Sequence, residues 1–511
     1  VQDHSLLLGC AERADVIVDF SAYAGKTIIL YNDAPAAFPA LDPRYDYYTG
    51  NPDQVLGGGT PPTQPGFGPN TRTIMQIRVA GTPAAAYPFN ALKQVFAKTA
   101  VKNGVFEVSH APIIVPEARY NSAYNGSYPA DPFVRINQGS KTFQTLAGTT
   151  VTIPFQPKAI QAEMGEAFDT DYGRMSGFLG VELPVGSGVQ KFTLYPYLSP
   201  PVDVMETSMT PMSPVAGDGT QIWKITHNGV DTHPIHFHLF NVQLINRVAW
   251  DNSVSPPDAN ELGWKETVRV SPLEDTIVAM RPVAPTQPFE VPNSIRPIDP
   301  TKEIGVELPG GPGGYKDPAG NPVSVVNHLV NFGWEYVWHC HILGHEEMDM
   351  MHGLCFATPP TAPSDLQAVT VPVLLDASLS WTDNSWNETG FTIERATDSA
   401  FLSGLTTFTT LANVVNYTDT TIVPGTGYFY RVMANNVVGD SETPGFPTKS
   451  ANSAYSNTAA LGDPLAPDPP TSLTAAVISS FKINLTWVAA AAGNPRTGYR
   501  VERSTDSGAT W

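Results

Sequence analysis

WHCHILGHEEMDMMHG, residues 338–353, sets His339, Cys340, His341, His345 and Met350 within one short run. Its leading part, EYVWHCHI, reads as a β-strand, and successive side chains of a strand point to opposite faces. Cys340 therefore faces one side while His339 and His341 face the other, so one tripeptide can serve two metal centres across a backbone. A second cluster, THPIHFHLF at 232–240, carries His233, His236 and His238. Alternation puts His236 and His238 on one face, whereas His233 comes before them at the Pro234 turn and can point elsewhere. Taken alone this cluster could build a zinc site. Cys340, His345 and Met350 supply thiolate, imidazole and thioether, and His233 completes a trigonal His₂Cys set with a weak axial Met. That pattern belongs to blue copper electron-transfer sites rather than zinc. Packing several imidazoles and a thiol together is costly without a metal or full hydrogen bonding, which weighs against a coincidental His-rich core strand.

Working outward, TQIWKITHNG, HFHLFNVQLINRVAW and WKETVRV read as further core strands of the same unit, and ADVIVDF, KTIILYN and TIMQIRV as strands upstream of it. No segment carries a sustained helical period, and 48 Pro and 42 Gly in 511 residues argue against long helices. The chain is expected to be all-β. Residues 50–70 and the stretch beginning at Leu308 are Pro/Gly-rich and read as long surface loops. With 48 acidic against 29 basic residues the net charge is -19, which repels phosphate and excludes nucleic acid and anionic membrane as natural partners while favouring cations. No stretch approaches the ~20 apolar residues of a transmembrane helix. Cys10, Cys340 and Cys355 are too few for a disulfide scaffold, and Cys10 and Cys355 are most simply small buried hydrophobes, with pairing between them unsupported.

After Phe356 the texture changes to a proline-punctuated linker and a repeat begins. PSDLQAV, SLSWTDN and FTIERATDS, starting at Pro363, recur as PTSLTAA, NLTWVAA and YRVERSTDS, starting at Pro470, so that Trp381 corresponds to Trp487. That spacing suits a sandwich domain. VPGTGYFYRVMANNVVGDS resembles the fibronectin type III pattern, with Tyr428 in the tyrosine-corner place and Tyr430 and Val432 facing inward.

HPIHFH and HCHILGHEEMDM resemble the last two copper motifs of the multicopper oxidases, the laccase-like group. The similarity extends through AERADVIVDFSAYAGKTIILYN, TIMQIRV and ELGWKETV over roughly residues 1 to 357. It implies that His233, Cys340, His345 and Met350 are type 1 copper ligands, that His236 binds a type 2 copper, and that His238, His339 and His341 bind the type 3 pair. Met351 is the rival to Met350 as axial ligand, and family spacing favours Met350. A complete trinuclear cluster takes its other histidines from two further His-x-His motifs, yet none precedes His236, and His4, His110 and His227 are isolated. The type 1 site is thus expected to be complete and the type 2 and type 3 sites partial. Val1 is no initiator Met, no signal peptide opens the chain, and the far end stops where a strand pattern should continue, so the chain is expected to be an interior piece of a longer protein.

The resulting expectation is an all-β chain of cupredoxin-like Greek-key sandwiches followed by fibronectin type III-like sandwiches. Residues 1–92 end a second cupredoxin domain, 93–360 form the C-terminal cupredoxin domain with the copper motifs, 361–462 a fibronectin type III-like domain and 463–511 a truncated second one. By resemblance the function is that of a multicopper oxidase. Single electrons from a small reductant enter at the type 1 copper, pass along Cys340 to His339 and His341, and reduce O₂ to water at the trinuclear centre. The fragment itself is expected to be inactive without the N-terminal copper motifs. Glu346 holds the place where some bacterial family members carry a proton-relay glutamate; Glu347 and Asp349 read as a solvated acidic rim. His328 and His352 read as surface or supporting residues rather than ligands. The run from His233 resembles large bacterial members, including manganese(II) oxidases, so Mn(II) or a phenol is the expected reductant. The fibronectin-like repeats point to an extracellular or cell-surface protein, as spacers or as contacts to polymer or cell wall. The alternative is an adhesion or spacer protein with a non-catalytic cupredoxin domain; a zinc hydrolase fails on Cys340 between two histidines with Met350 downstream.

Overall fold

The computed structural model describes residues 5–506 except 35–37, 40–43, 45, 47, 68, 69, 71, 83, 122–127, 129, 130, 138, 145–149, 162–167, 170–173, 176, 184–190, 207–219, 311–313, 372–375, 424, 463–468 and 490–497. Nearly all regular structure among the described residues is strand, with α-helix confined to Phe89–Phe96, Val105–Ser109 and Leu343–Glu346. Two compact units result, one of Val1–Thr358 with Val437–Ser450, the other of Pro359–Asn436 with Ala451–Trp511.

The copper-motif region of the first unit is a sandwich of two sheets. One has the strand order Asp203–Glu206, Met351–Ala357, Trp334–Cys340, His233–Phe237, Thr267–Val270, antiparallel except for the first pair. The other runs Val254–Ser255, Val242–Ala249, Glu274–Met280, Gln221–His227, Gln156–Gln161, Phe178–Glu182, Phe192–Tyr195. Apolar alternation fills the space between them: Trp223 and Ile225 from the larger sheet meet Ile235, Phe237, Trp338, Leu354 and Phe356 from the smaller. Burying such side chains is the main force holding the layers together, at about 1.5–3 kcal/mol for each large residue.

Two polar devices join what apolar packing leaves open. Lys158 and Asp203 form an ion pair buried between strands, and the Trp338 indole N–H donates to Asp203 Oδ2 at 2.9 Å, with His352 Nδ1 3.3 Å from the same oxygen. Burial alone would raise the Asp203 carboxyl, but Lys158 and His352 beside it hold it below the usual carboxylate range. On the bulged strand Val242–Ala249, the Gln243 side chain accepts the N–H groups of Ile114 and Val115 and donates to Val115 O, while Asn246 brackets Ile136 in the same way. These amides hold irregular backbone on the sheet where no ladder could.

Glu117, 1% exposed, accepts the Val134 N–H at 3.2 Å, and burial pushes its carboxyl up to about 7. Between its unfolded value near 4.5 and about 7 the folded chain therefore binds more protons than the unfolded one. The contribution of Glu117 is complete below the lower value and is lost as pH rises through the upper one, up to about 3 kcal/mol. Glu117→Gln, which keeps the acceptor, should stabilise the chain at pH 8 and not at pH 4 in denaturant titrations. An equal effect at both pH values would refute this.

The run ADVIVDF, expected as a strand, forms none, and Val16, Ile17 and Val18 are exposed, because no described backbone offers it a ladder. KTIILYN and TIMQIRV pair with each other as expected. The described residues of 50–70 form a loop with one 3₁₀ turn at Val55–Gly57 and the Asn51 side chain bonded across it to Thr60 and Thr63.

In the second unit, Ser364–Val371, Asp376–Thr382 and Asn416–Asp419 form one sheet, and Gly390–Ala396 pairs Thr406–Leu411 on one side and Tyr428–Gly439 on the other. Tyr430, Val432 and Ala434 alternate inward onto Trp381 and Phe391. The Val423 N–H donates to the Tyr428 hydroxyl at 3.0 Å, closing a tyrosine corner. The second copy of the repeat is a hairpin, Thr471–Ser479 with Lys482–Val488.

Candidate metal centre

The strand His233–Phe237 lies between Thr267–Val270 and Trp334–Cys340, with Ile235 opposite Cys340 and His236 opposite His339. Ile235 and Phe237 face the core, so His233, two residues before Ile235, faces it as well; His236 and His238 take the other face. On the neighbouring strand Trp338 and Cys340 face inward and His339 outward. A one-residue slip in this register would exchange the two sets. Pro234 has no N–H to donate, but its carbonyl accepts the His341 N–H at 2.8 Å and ties the residue after Cys340 to the His233 strand.

On the inner face His233 Nδ1 lies 3.4 Å and His345 Nδ1 3.5 Å from Cys340 Sγ, and all three residues are buried. His345 comes from the one-turn helix Leu343–Glu346. The turn after it brings the Met350 N–H to His345 O and the Met350 carbonyl to the Cys340 N–H, each at 3.0 Å, with Asp349 in the left-handed conformation that lets the chain reverse. Met350 is fully buried in the same core cluster as Cys340, whereas Met351 is partly exposed on its strand. The Ile342 N–H also points at Cys340 Sγ, 3.5 Å away.

On the outer face His238 Nε2 and His339 Nε2 are 3.2 Å apart, and the rings of His236 and His341 lie 5.3 Å from each other. His339 Nδ1 is 3.0 Å from Cys340 O, a carbonyl that only accepts, so this nitrogen carries the proton and Nε2 is left as the metal-binding lone pair. His236 Nδ1 engages Thr267 Oγ1 at 2.9 Å, which orients its ring in the same manner. His236, His238 and His339 converge within 4.8 Å at their ligand atoms, as do His233, Cys340 and His345; His341 stands beside the outer group, its ring 5.3 Å from that of His339.

Burial lowers His345 to about 4 and His233 well below its usual value, with neighbouring imidazoles adding to the effect. His236 falls to about 4, first through burial and then through His238, His339 and His341. Burial pushes the Cys340 thiol up. A proton is thus a poor occupant of either group, while neutral imidazoles beside a thiol that a metal can deprotonate suit a borderline-soft ion. The buried His233 Nε2 has no hydrogen-bond partner. The donor set fits copper.

Glu346 Oε2 is 3.7 Å from His339 Nδ1 and 3.8 Å from His341 Nδ1, while Glu347 and Asp349 are exposed. His328 pairs with Asp440 at 3.0 Å, away from both groups. His227, isolated in sequence from any His-x-His motif, comes close to the inner group in space: its ring lies 4.8 Å from that of His233, with Nε2 against Asp231 O. Its position two residues after the inward Ile225 is the signal that could have found it. Of the two readings of His352, surface or supporting, the structure shows the second: it is buried on the core face opposite Trp338, with Nδ1 3.3 Å from Asp203 Oδ2, as alternation with Leu354 requires. Cys10 is exposed rather than buried, and all three cysteines are unpaired.

Comparison with known proteins finds the following similarities. The multicopper oxidase family model matches residues 190–288. The laccase of Bacillus subtilis strain 168 is 23% identical over 372 residues, covering 70% of this chain and 44% of that protein. The laccase of Haloferax volcanii is 27% identical over 141 residues, 28% of this chain and 16% of the relative. A solved variant of the McoA multicopper oxidase from the hyperthermophile Aquifex aeolicus shares 16% identity over 66% of this chain and 42% of its own, with a TM-score of 0.24. The chain spans less than half the length of these relatives. Residues 190–288 thus match the multicopper oxidase family model, and the chain is similar to laccases over part of their length.

Proposed function

We propose that Cys340, His233 and His345 would hold a type 1 copper, with the Met350 thioether as a further donor. His236, His238, His339 and His341 are the contribution of this chain to a trinuclear copper centre. Copper held there would supply one-electron redox chemistry that side chains lack on their own, and a trinuclear set completed by further histidines would use it for the reduction of O₂ to water. The observation that supports this reading is the placement of Cys340 Sγ between two imidazole Nδ1 atoms while its neighbour His339 faces His236 and His238 across the same strand. The chain's own work is to keep His233, His345, His236 and His238 neutral through burial, to orient His236 through Thr267 and His339 through the Cys340 carbonyl, and to join the two groups covalently through Cys340, His339 and His341.

The donor of electrons is a small reductant, with Mn(II) and phenols as the candidates that steady-state rates would separate. The second unit, with its tyrosine corner and inward alternation, reads as a fibronectin type III-like spacer of an extracellular or cell-surface protein. No helix among the described residues is long and apolar enough to cross a membrane.

The test is reconstitution. Added Cu(II) should give one intensely blue centre per chain, since a thiolate bound to Cu(II) in trigonal geometry has a strong charge-transfer band. Oxygen uptake by this chain alone should stay near the free-copper background, because the sequence holds only two His-x-His motifs. A colourless chain that prefers zinc would refute the assignment, and robust copper-dependent turnover would refute the incomplete trinuclear set.

A further inference from the structure

We propose that Gly177 is a positioning residue for the Met350 thioether, and that its missing side chain sets where the sulfur lies beside the type 1 site. The inference rests on the reading of Met350 as axial ligand. Gly177 is buried directly before the strand Phe178–Glu182, which belongs to the larger sheet and packs on Met351–Ala357, the strand that follows Met350. A Cβ built at this glycine would fall 2.6 Å from Met350 Sδ, 3.2 Å from Cε and 3.5 Å from Cγ. Those three neighbours are all the distal end of one flexible side chain.

Gly177 does not occupy a left-handed backbone conformation, so φ does not demand glycine here. Gly180, three residues on, makes the contrast: its Cβ would strike the Thr193 carbonyl oxygen of the paired strand at 2.0 Å, a requirement of strand packing. At Gly177 the three nearest atoms are those of the proposed ligand, and any other neighbour is no closer than 3.5 Å, an ordinary van der Waals contact. A methyl group here can be accommodated by moving the thioether, and an axial sulfur that moves retunes the copper, because that ligand adjusts the potential of a His₂Cys site.

Gly177→Ala tests this in the whole chain with two readouts. In the metal-free protein labelled with ¹³C at its methionine methyls, the Met350 resonance, assigned by Met350→Ala, should shift while the other methionines and the melting temperature stay near wild type. After Cu(II) loading, the blue band, the copper hyperfine splitting and the reduction potential should all shift from wild type. The same Gly177→Ala change in a Met350→Ala background should alter none of them, since no thioether remains to be displaced. An unmoved Met350 resonance would overturn the inference, as would an unchanged blue band, or an equal spectral change in the Met350→Ala background. A wild-type chain with no blue band would sink the copper reading itself and the inference with it.

Discussion

Cys340→Ser should leave the copper-treated chain colourless while both units keep their folds. Thiolate-to-copper charge transfer is the source of the blue band, and a serine hydroxyl cannot replace a sulfur donor in it. Cys340 is fully buried, so the substitution exchanges one small side chain for another in place. Its hydroxyl keeps partners, because His233 Nδ1, His345 Nδ1 and the Ile342 N–H already surround the sulfur. Visible absorption should therefore fall to background while circular dichroism stays unchanged. A blue Cys340→Ser chain would place the copper elsewhere. Loss of the folded state in the metal-free variant would show instead that the thiol serves the core.

The second large effect concerns Glu346 and needs a protein that unites this chain with two further His-x-His motifs. In the proposed trinuclear centre the reduction of O₂ to water would consume protons, and Glu346 is a carboxylate within 4 Å of two of its imidazoles, His339 and His341. Glu347, the next residue, is exposed. Glu346→Gln keeps the shape and removes the proton-carrying group, so the blue colour and the reduction of the type 1 copper by substrate should persist. Turnover of O₂ should slow by roughly 10²-fold, the lower range of general acid contributions. Glu347→Gln should change little. Equal effects of the two substitutions would return Glu346 to the acidic rim.

Alternation was legible in the linear chain, and with it the division of the ligands. A period of two sends Cys340 inward and His339 outward wherever the strand lies, and hydrophobic neighbours such as Ile235 and Trp338 say which face is inner. The same rule applied to TQIWKITHNG and MHGLCFA would have placed His227 and His352 on the core face. His227 lies outside the dense clusters, and His352 at the end of one reads as a surface or supporting residue until the strand is followed through it. The resemblance to the family favours Met350 over Met351, and Met350 is the one buried beside Cys340 in the core.

What alternation cannot supply is the partner across a gap. ADVIVDF carries a strand pattern and forms no strand, because a ladder is a property of two segments. Gln243 and Asn246 look like ordinary polar residues until the irregular backbone at Ile114, Val115 and Ile136 comes to lie against them. The proximity of His233 to His345, over a separation of more than one hundred residues, and the open place that Gly177 leaves beside Met350 exist only after the two sheets close. Local residue types and their period determined which side chains share a face; only the packing of distant segments decided which faces meet, since close contact depends on where the whole chain buries its apolar surface.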